Sequence, residues 1–193
     1  MKTMFKIAAV SAVAVAGVIA LPSMASAQVA IADVDQAVGQ SNAFVLAENQ
    51  IKLTHKAAFD QVTAARAELQ KLYAVLDTNK DKQVSQPELD AAVAAKKPEI
   101  ALIDAKNAQV NAAGQPIAKA RAYSQEQIVG KLEAALKQVM TTTRLPLILS
   151  PQAAVYALPA ADVTTDITNA LNTLVPQVSI TPPANWQPGG APA

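Results

Sequence analysis

Asp77, Asn79, Asp81, Gln83, Ser85 and Glu88 place oxygen-bearing side chains along one short stretch, mostly on alternate residues. Hard cations want a dense set of oxygens on alternating loop residues, because only a tight loop can converge them. Other chemistries are poorly provided for. The chain has no cysteine, so a thiolate nucleophile, a disulfide framework and a cysteine-ligated zinc or iron–sulfur site are excluded. Its single histidine, His55, excludes a multi-histidine metal centre and leaves a Ser-His-Asp triad unsupported. Asp33 and Asp35 alternate with valine and form no paired-acid site, while Asp162 and Asp166 read as helix caps. Sixteen Lys+Arg against fifteen Asp+Glu is not the basic excess of a nucleic-acid binder. No catalytic residue emerges, and the chain reads as a non-enzyme.

The elements that carry these residues begin after an address. Lys2 and Lys6 precede an apolar run from Ile7 to Leu21, and Ala25-Ser26-Ala27 fits a small-x-small cleavage site. This is a secretory signal peptide cleaved after Ala27, since the run is short of the ~20 residues a membrane span needs. Cleavage removes both lysines and no acid, taking the formal net charge from +1 to −1. The product is expected to be a soluble exported protein that begins at Gln28.

Over the whole sequence 51% of residues are hydrophobic but only 4% aromatic. Alanine dominates the apolar fraction, and it packs thin helix–helix seams better than a thick core. Val29 to Val34 alternates and reads as a strand, with Asp35 as a cap. From Gln36 to Leu76 there is no proline. Phe44, Ile51, Ala58, Val62, Ala65, Leu69, Leu72 and Leu76 then follow a three-four spacing interrupted by Glu48 and His55. That predicts a helix roughly 60 Å long at about 1.5 Å per residue. A returning helix runs from Pro98 to about Met140 through Ile100, Ile103, Val110, Ile117, Ile128, Leu132, Ala135 and Val139. Gly114-Gln115-Pro116 is expected to kink or break it. Two arms of nearly equal length make an antiparallel hairpin, held loosely by its alanine-rich seam.

Beyond Arg144 two short strands are expected, Leu145–Ser150 and Ala154–Ala157, separated by the turn signal Ser150-Pro151-Gln152. A short amphipathic helix follows, with Ile167, Leu171 and Leu174 on one face. From Pro176 onward prolines, adjacent glycines and a lone Trp186 predict a disordered tail over 176–193. The fold class is α+β and helix-dominated. A small β-body (28–35 and 141–175) carries a long coiled-coil hairpin (36–140) with an enlarged tip at 77–98. The body has too few strands to bury a core alone, so the chain is expected to oligomerise.

Val29–Val34 leading into a long helix, Leu147-Ile148-Leu149-Ser150 with Ala154-Val155-Tyr156-Ala157, and Asp162-Val163-Thr164 with Asp166-Ile167-Thr168 together resemble the Skp/OmpH family of periplasmic chaperones. The resemblance covers the chain to about Val175. It implies a homotrimer whose hairpins hang as tentacles from a shared β-body. The implied activity is ATP-independent holding of unfolded outer-membrane proteins in the periplasm, with no cofactor required. Well-known members are strongly basic, which suits acidic clients and anionic membrane surfaces, and this chain departs from them. Eight Lys+Arg against four Asp+Glu between Lys96 and Arg144 read either as a basic lining that steers clients or as a solvated helix face.

The stretch from Asp77 to Glu88 resembles an EF-hand calcium loop. On that resemblance Asp77, Asn79 and Asp81 are the first side-chain ligands and Gln83 offers its carbonyl. Ser85 acts directly or through water, and Glu88 is the bidentate last ligand. Lys82 stands where such loops carry glycine. Calcium is thus the one cofactor the sequence admits. The structural alternative has Asp77 and Asn79 stopping the first arm while Ser85 caps the next helix, with Pro87 early in it. Two other functions stay open beside the chaperone: an exported calcium-binding protein, and an envelope adaptor using the hairpin as a rod.

Overall fold

The computed structural model describes residues 29–189; the expected signal peptide and the cleavage site after Ala27 lie outside the described residues. Strand β1 (Val29–Ile31) pairs in parallel with β2 (Leu147–Leu149), Val29 opposite Leu147 and Ile31 opposite Leu149. Parallel strands need a long crossover, and here the helical hairpin that lies between the two strands in sequence supplies it. Asp162 forms a bridge on Ile31, and the Val163 N–H donates to the Ile31 carbonyl at 3.0 Å.

The first strand is shorter than expected, and its cap is Asp33 rather than Asp35. Asp33 Oδ1 accepts from the Gln36 N–H at 2.8 Å, while its own N–H donates to Thr164 Oγ1 at 2.9 Å. Asp35 lies in the first turn of α1 (Val34–Gln40), where its charge complements the helix dipole.

The outgoing arm is jointed. Helix α1 ends at Ser41, which is extended (φ −63°, ψ 144°) and also caps α2 (Asn42–Thr54). The buried Ser41 hydroxyl donates to the Val38 carbonyl at 2.7 Å and accepts from the Phe44 N–H at 3.3 Å. A residue that satisfies both helix ends with one side chain makes this joint cheap. His55 separates α2 from α3 (Lys56–Leu76). There the α-helical hydrogen bonds persist, His55 to Ile51 and Phe59 to His55, so the interruption is mild.

The returning arm corrects the sequence reading. Helix α5 (Pro98–Val129) runs unbroken through Pro116. Ile117 and Ala120, just beyond the proline, are buried against Ala47 and Ile51 of α2, and that packing outweighs the lost hydrogen bond. The actual break is at Gly130, between α5 and α6 (Leu132–Thr143). Both arms thus have a joint near the body, at Ser41 and Gly130.

The expected seam is present. Ile51, Ala65, Leu69, Leu76, Ile103, Ile117, Ile128, Ala135 and Val139 are buried, and the other seam residues, such as Phe44, Val62 and Leu132, are half-buried. Arg121 closes on Glu48 with two bonds of 2.5 and 2.8 Å, and Lys106 pairs with Glu68. These cross-links fix the antiparallel register. Glu48, which reads as a polar interruption of the seam, is partnered by Arg121.

The body is more helical than expected. Its core joins Ala30 and Ala32 to Ala37 and Val38 of α1, Ala135 and Val139 of α6, and Ile167, Ala170 and Leu171 of α7 (Thr164–Leu174). Leu174 is largely outside this core. The expected strand Ala154–Ala157 does not form. It is an extended piece between two short 3-10 turns, Pro151–Ala153 and Pro159–Ala161. An extended segment with no neighbour to pair with is not a strand, and β1 already spends its second edge on Asp162 and Val163. The stretch after Val175 is ordered to Gly189 rather than disordered: Ile180 is buried against α2 and α5. The molecule is α+β and helix-dominated, with a two-stranded sheet.

Candidate functional site

At the far end of the hairpin Leu69, Leu76, Ala92 and Ile103 form a third small core, flanked by Val84, Leu89 and Ile100. On it sit the loop from Asp77 to Ser85 and α4 (Gln86–Ala94). All the candidate ligands lie there, but most of their side-chain oxygens accept hydrogen bonds from within the loop. Asp77 Oδ2 accepts the Lys82 N–H at 2.8 Å, Asn79 Oδ1 accepts the Asp81 N–H at 2.9 Å, and Asp81 Oδ1 accepts the Gln83 N–H at 2.8 Å. These are the Asx-type contacts that let Lys80 (φ 60°) and Lys82 (φ 69°) hold left-handed conformations. Lys82 therefore adopts the backbone shape that glycine gives such loops, at a cost of about 1–2 kcal/mol.

Glu88 locks the loop. Its Oε1 accepts from Thr78 N–H, Thr78 Oγ1–H and Asn79 N–H, and its Oε2 from Ser85 N–H and Ser85 Oγ–H, at 2.7–3.1 Å. The bond from the Ser85 N–H is the Glu88 half of the capping box that starts α4. Bonds from Ser85, Thr78 and Asn79 favour the ionised form and lower the carboxyl pKa to about 2. Among the described residues no three acidic or histidine side chains converge as a metal site would require. One observation nonetheless fits a cation: Asp77 Oδ1 is buried with no hydrogen-bond partner. It lies beside an open depression lined by Gln70, Tyr73, Ala74, Lys82, Gln83 and Val84.

Along the arms a different surface is on display. Leu46, Leu53 and Val45 on α2, Val75 on α3 and Leu102 on α5 are exposed, Leu53 to 79%. Leu46 and Leu53 are seven residues apart, so they share one face of α2. The basic surplus of the returning arm is partly cancelled by acids of the outgoing arm, Lys106 by Glu68 and Arg121 by Glu48. Bonding to Arg121 holds the Glu48 carboxyl below its ordinary range. His55 is half-buried at the joint between α2 and α3, with no acidic cluster beside it.

The body shows a second apolar surface. Val155 and Tyr156 are almost wholly exposed, Leu158 is 63% exposed, and Val29 and Leu147 on the sheet are half-exposed. Asp162 Oδ1 accepts the Thr164 N–H at 2.8 Å, and Thr164 holds its carboxyl below the usual range. It steadies the start of α7, but neither Asp162 nor Asp166 is the expected cap: the cap position is Val163, whose side chain cannot bond the free N–H groups. Asp166 lies in the first turn.

One cluster escaped the sequence reading. Trp186 stands edge-on to Tyr123, with ring centroids 5.2 Å apart and planes at 70°. Its indole N–H donates to Glu126 at 3.1 Å. The Gln127 amide exchanges two hydrogen bonds with the Ser179 backbone. The available signal was the alternation Val178-Ser179-Ile180-Thr181, which is unlike a disordered tail.

Three comparisons bear on this arrangement. No curated protein matches the sequence. A crystal structure from Caulobacter crescentus, described as a candidate outer membrane chaperone (OmpH-like), is 20% identical; the match covers 79% of this chain and 88% of that one with a TM-score of 0.47. The family model described as "Outer membrane protein (OmpH-like)" matches residues 28–171, the span from the first strand through most of α7. The chain therefore belongs to the OmpH-like family, a family of chaperones and not of enzymes.

Proposed function

We propose that this protein is an ATP-independent holdase that binds unfolded outer-membrane proteins in the periplasm and keeps them from aggregating. The observation that carries the reading is the run of aliphatic side chains left exposed on both arms, Leu46 and Leu53 above all. Scattered apolar contacts on a jointed, thinly packed hairpin accept many sequences, where a rigid pocket would select one. With a near-neutral chain, contact rather than charge supplies the binding. The holdase acts as a homotrimer, exported by a leader that is removed after Ala27. The exposed Val29, Leu147, Val155, Tyr156 and Leu158 support this, because they leave an apolar body surface and a free sheet edge for a second copy. An anionic membrane surface, suited to the basic surplus between Lys96 and Arg144, is a secondary partner.

Light scattering during dilution of a denatured porin is the test. Stoichiometric protein should hold the signal near baseline without nucleotide, and undiminished aggregation overturns the reading. Mass measured on the purified exported protein checks both the trimer and the start at Gln28.

A second reading concerns the tip, and the orphaned Asp77 Oδ1 favours it: the loop takes up calcium through Asp77, Asn79, Asp81, Gln83, Ser85 and Glu88. Binding must first break the bonds that Glu88 makes to Thr78, Asn79 and Ser85, so the affinity belongs at the weak end for such loops. Calorimetric titration should give saturable heat that Glu88→Gln abolishes; equal traces for both proteins remove the calcium site.

A further inference from the structure

The stretch after Val175 fills a groove at the root of the arm in the manner of a bound peptide. Ile180 is 5% exposed and seated among Ala47, Ile51, Ile117 and Ala120. Val178 packs against both this cluster and the body core. Between them the Ser179 N–H donates to Gln127 Oε1 at 3.1 Å, and Gln127 Nε2 donates to the Ser179 carbonyl at 2.9 Å. The amide thereby pairs with a main chain as a neighbouring strand would. Further on, Trp186 packs edge-on against Tyr123.

Apart from the Trp186 indole N–H on Glu126, none of these contacts involves a charged group or requires a particular sequence. They read a backbone, an alternating apolar side chain and an aromatic ring. Val178-Ser179-Ile180-Thr181 alternates apolar and polar residues as the strands of a transmembrane β-barrel do, before Pro182-Pro183 ends the run and Trp186 adds an aromatic ring of the kind found in their girdles.

We propose that the groove between α2 and α5 is a seat for one extended segment of an unfolded β-barrel client. Residues 177–186 occupy it as an internal stand-in that the client displaces. This rests on the holdase reading above and adds where a client segment binds and what it must compete with. The stand-in is tethered through the buried Val175 only a few residues away, so it competes as an intramolecular ligand at high effective concentration. A groove open about a tenth of the time weakens apparent client binding about tenfold.

Trp186 is the chain's only tryptophan, which makes its emission a direct reporter of the stand-in. The probe is a tryptophan-free, unfolded β-barrel fragment, used unlabelled for Trp186 emission and fluorescein-labelled for anisotropy. Emission should shift to the red with the same midpoint as the anisotropy. Ile180→Asp in the full chain should tighten fragment binding about tenfold, with far-UV circular dichroism checking that its helices persist. Ser179→Pro, which removes the N–H donated to Gln127 from an exposed position, should act in the same direction and guards against disturbance of the root by the aspartate. If the fragment binds while Trp186 emission stays fixed and both variants keep the parent affinity, the stand-in is refuted and the holdase survives. If no fragment binds to any of the three proteins and porin aggregation proceeds unchecked, both readings fall.

Discussion

Replacing Ile51 by alanine probes the link between seam packing and the arm's stiffness. Ile51 is fully buried among Ala47, Ile117, Ala120 and Ile180. The substitution removes three carbons, about 2.4 kcal/mol at about 0.8 kcal/mol per buried methylene. A cavity cost adds to this, because Ala47 and Ala120 have no rotamers with which to fill the space. The expected total is about 3 kcal/mol, inside the range of about 2–5 kcal/mol for such changes. Ile51→Val should cost about 1 kcal/mol. Leu53→Ala, two residues along the same helix but 79% exposed, should stay within about 0.5 kcal/mol. Urea unfolding followed by circular dichroism at one fixed protein concentration measures all three, the fixed concentration holding any contribution from assembly constant. If Leu53→Ala costs as much as Ile51→Ala, or Ile51→Ala costs under about 1 kcal/mol, the seam does not hold the arms and the packing argument fails.

Other outcomes follow from single contacts. Ser41→Ala should lower stability by about 1 kcal/mol, since one hydroxyl serves the end of α1 and the start of α2; an unchanged melting temperature would show that the joint is held by packing alone. A double-mutant cycle on Glu48 and Arg121 should give a coupling below about 1 kcal/mol that fades with salt, because Arg121 is half-exposed; a salt-insensitive coupling above about 2 kcal/mol contradicts that. Glu88 should titrate near pH 2 by carbon-detected NMR, against about 4.3 in an unfolded chain. A depressed carboxyl pKa means that the loop's stabilisation is complete above about pH 4.3 and is lost as pH falls towards 2. Amide exchange in α4 should therefore accelerate over that window, and a midpoint near 4.3 for Glu88 would disprove the hydrogen-bonded lock.

The surface that supports the functional reading was only half visible in the sequence. Leu46 and Leu53 fall outside the three-four spacing, so their exposure follows once the seam is drawn. Val155 and Tyr156 look like an ordinary strand from their residue types, and only the fold shows that they have no strand partner among the described residues. The tip was the reverse case. Its spacing suggested a loop built for a cation, while the coordinates show Glu88 turned onto Thr78 and Ser85 and one oxygen of Asp77 left over.

What the sequence determined by itself was everything governed by local periodicity. The hairpin, its seam residues, the capping of α4 by Ser85 and the start of α7 near Asp162 all follow from spacing of apolar side chains and from capping chemistry, which act within a few residues. The tertiary structure decided the rest. Pro116 stays helical because Ile117 and Ala120 are anchored on another helix, and Glu48 finds Arg121 across the hairpin. Residues 154–157 lose their strand because no described segment lies beside them to pair with, and Ile180 orders the stretch after Val175 because α2 and α5 leave a groove its size. Each of these outcomes is set by partners far away in the chain, whose proximity no local pattern encodes.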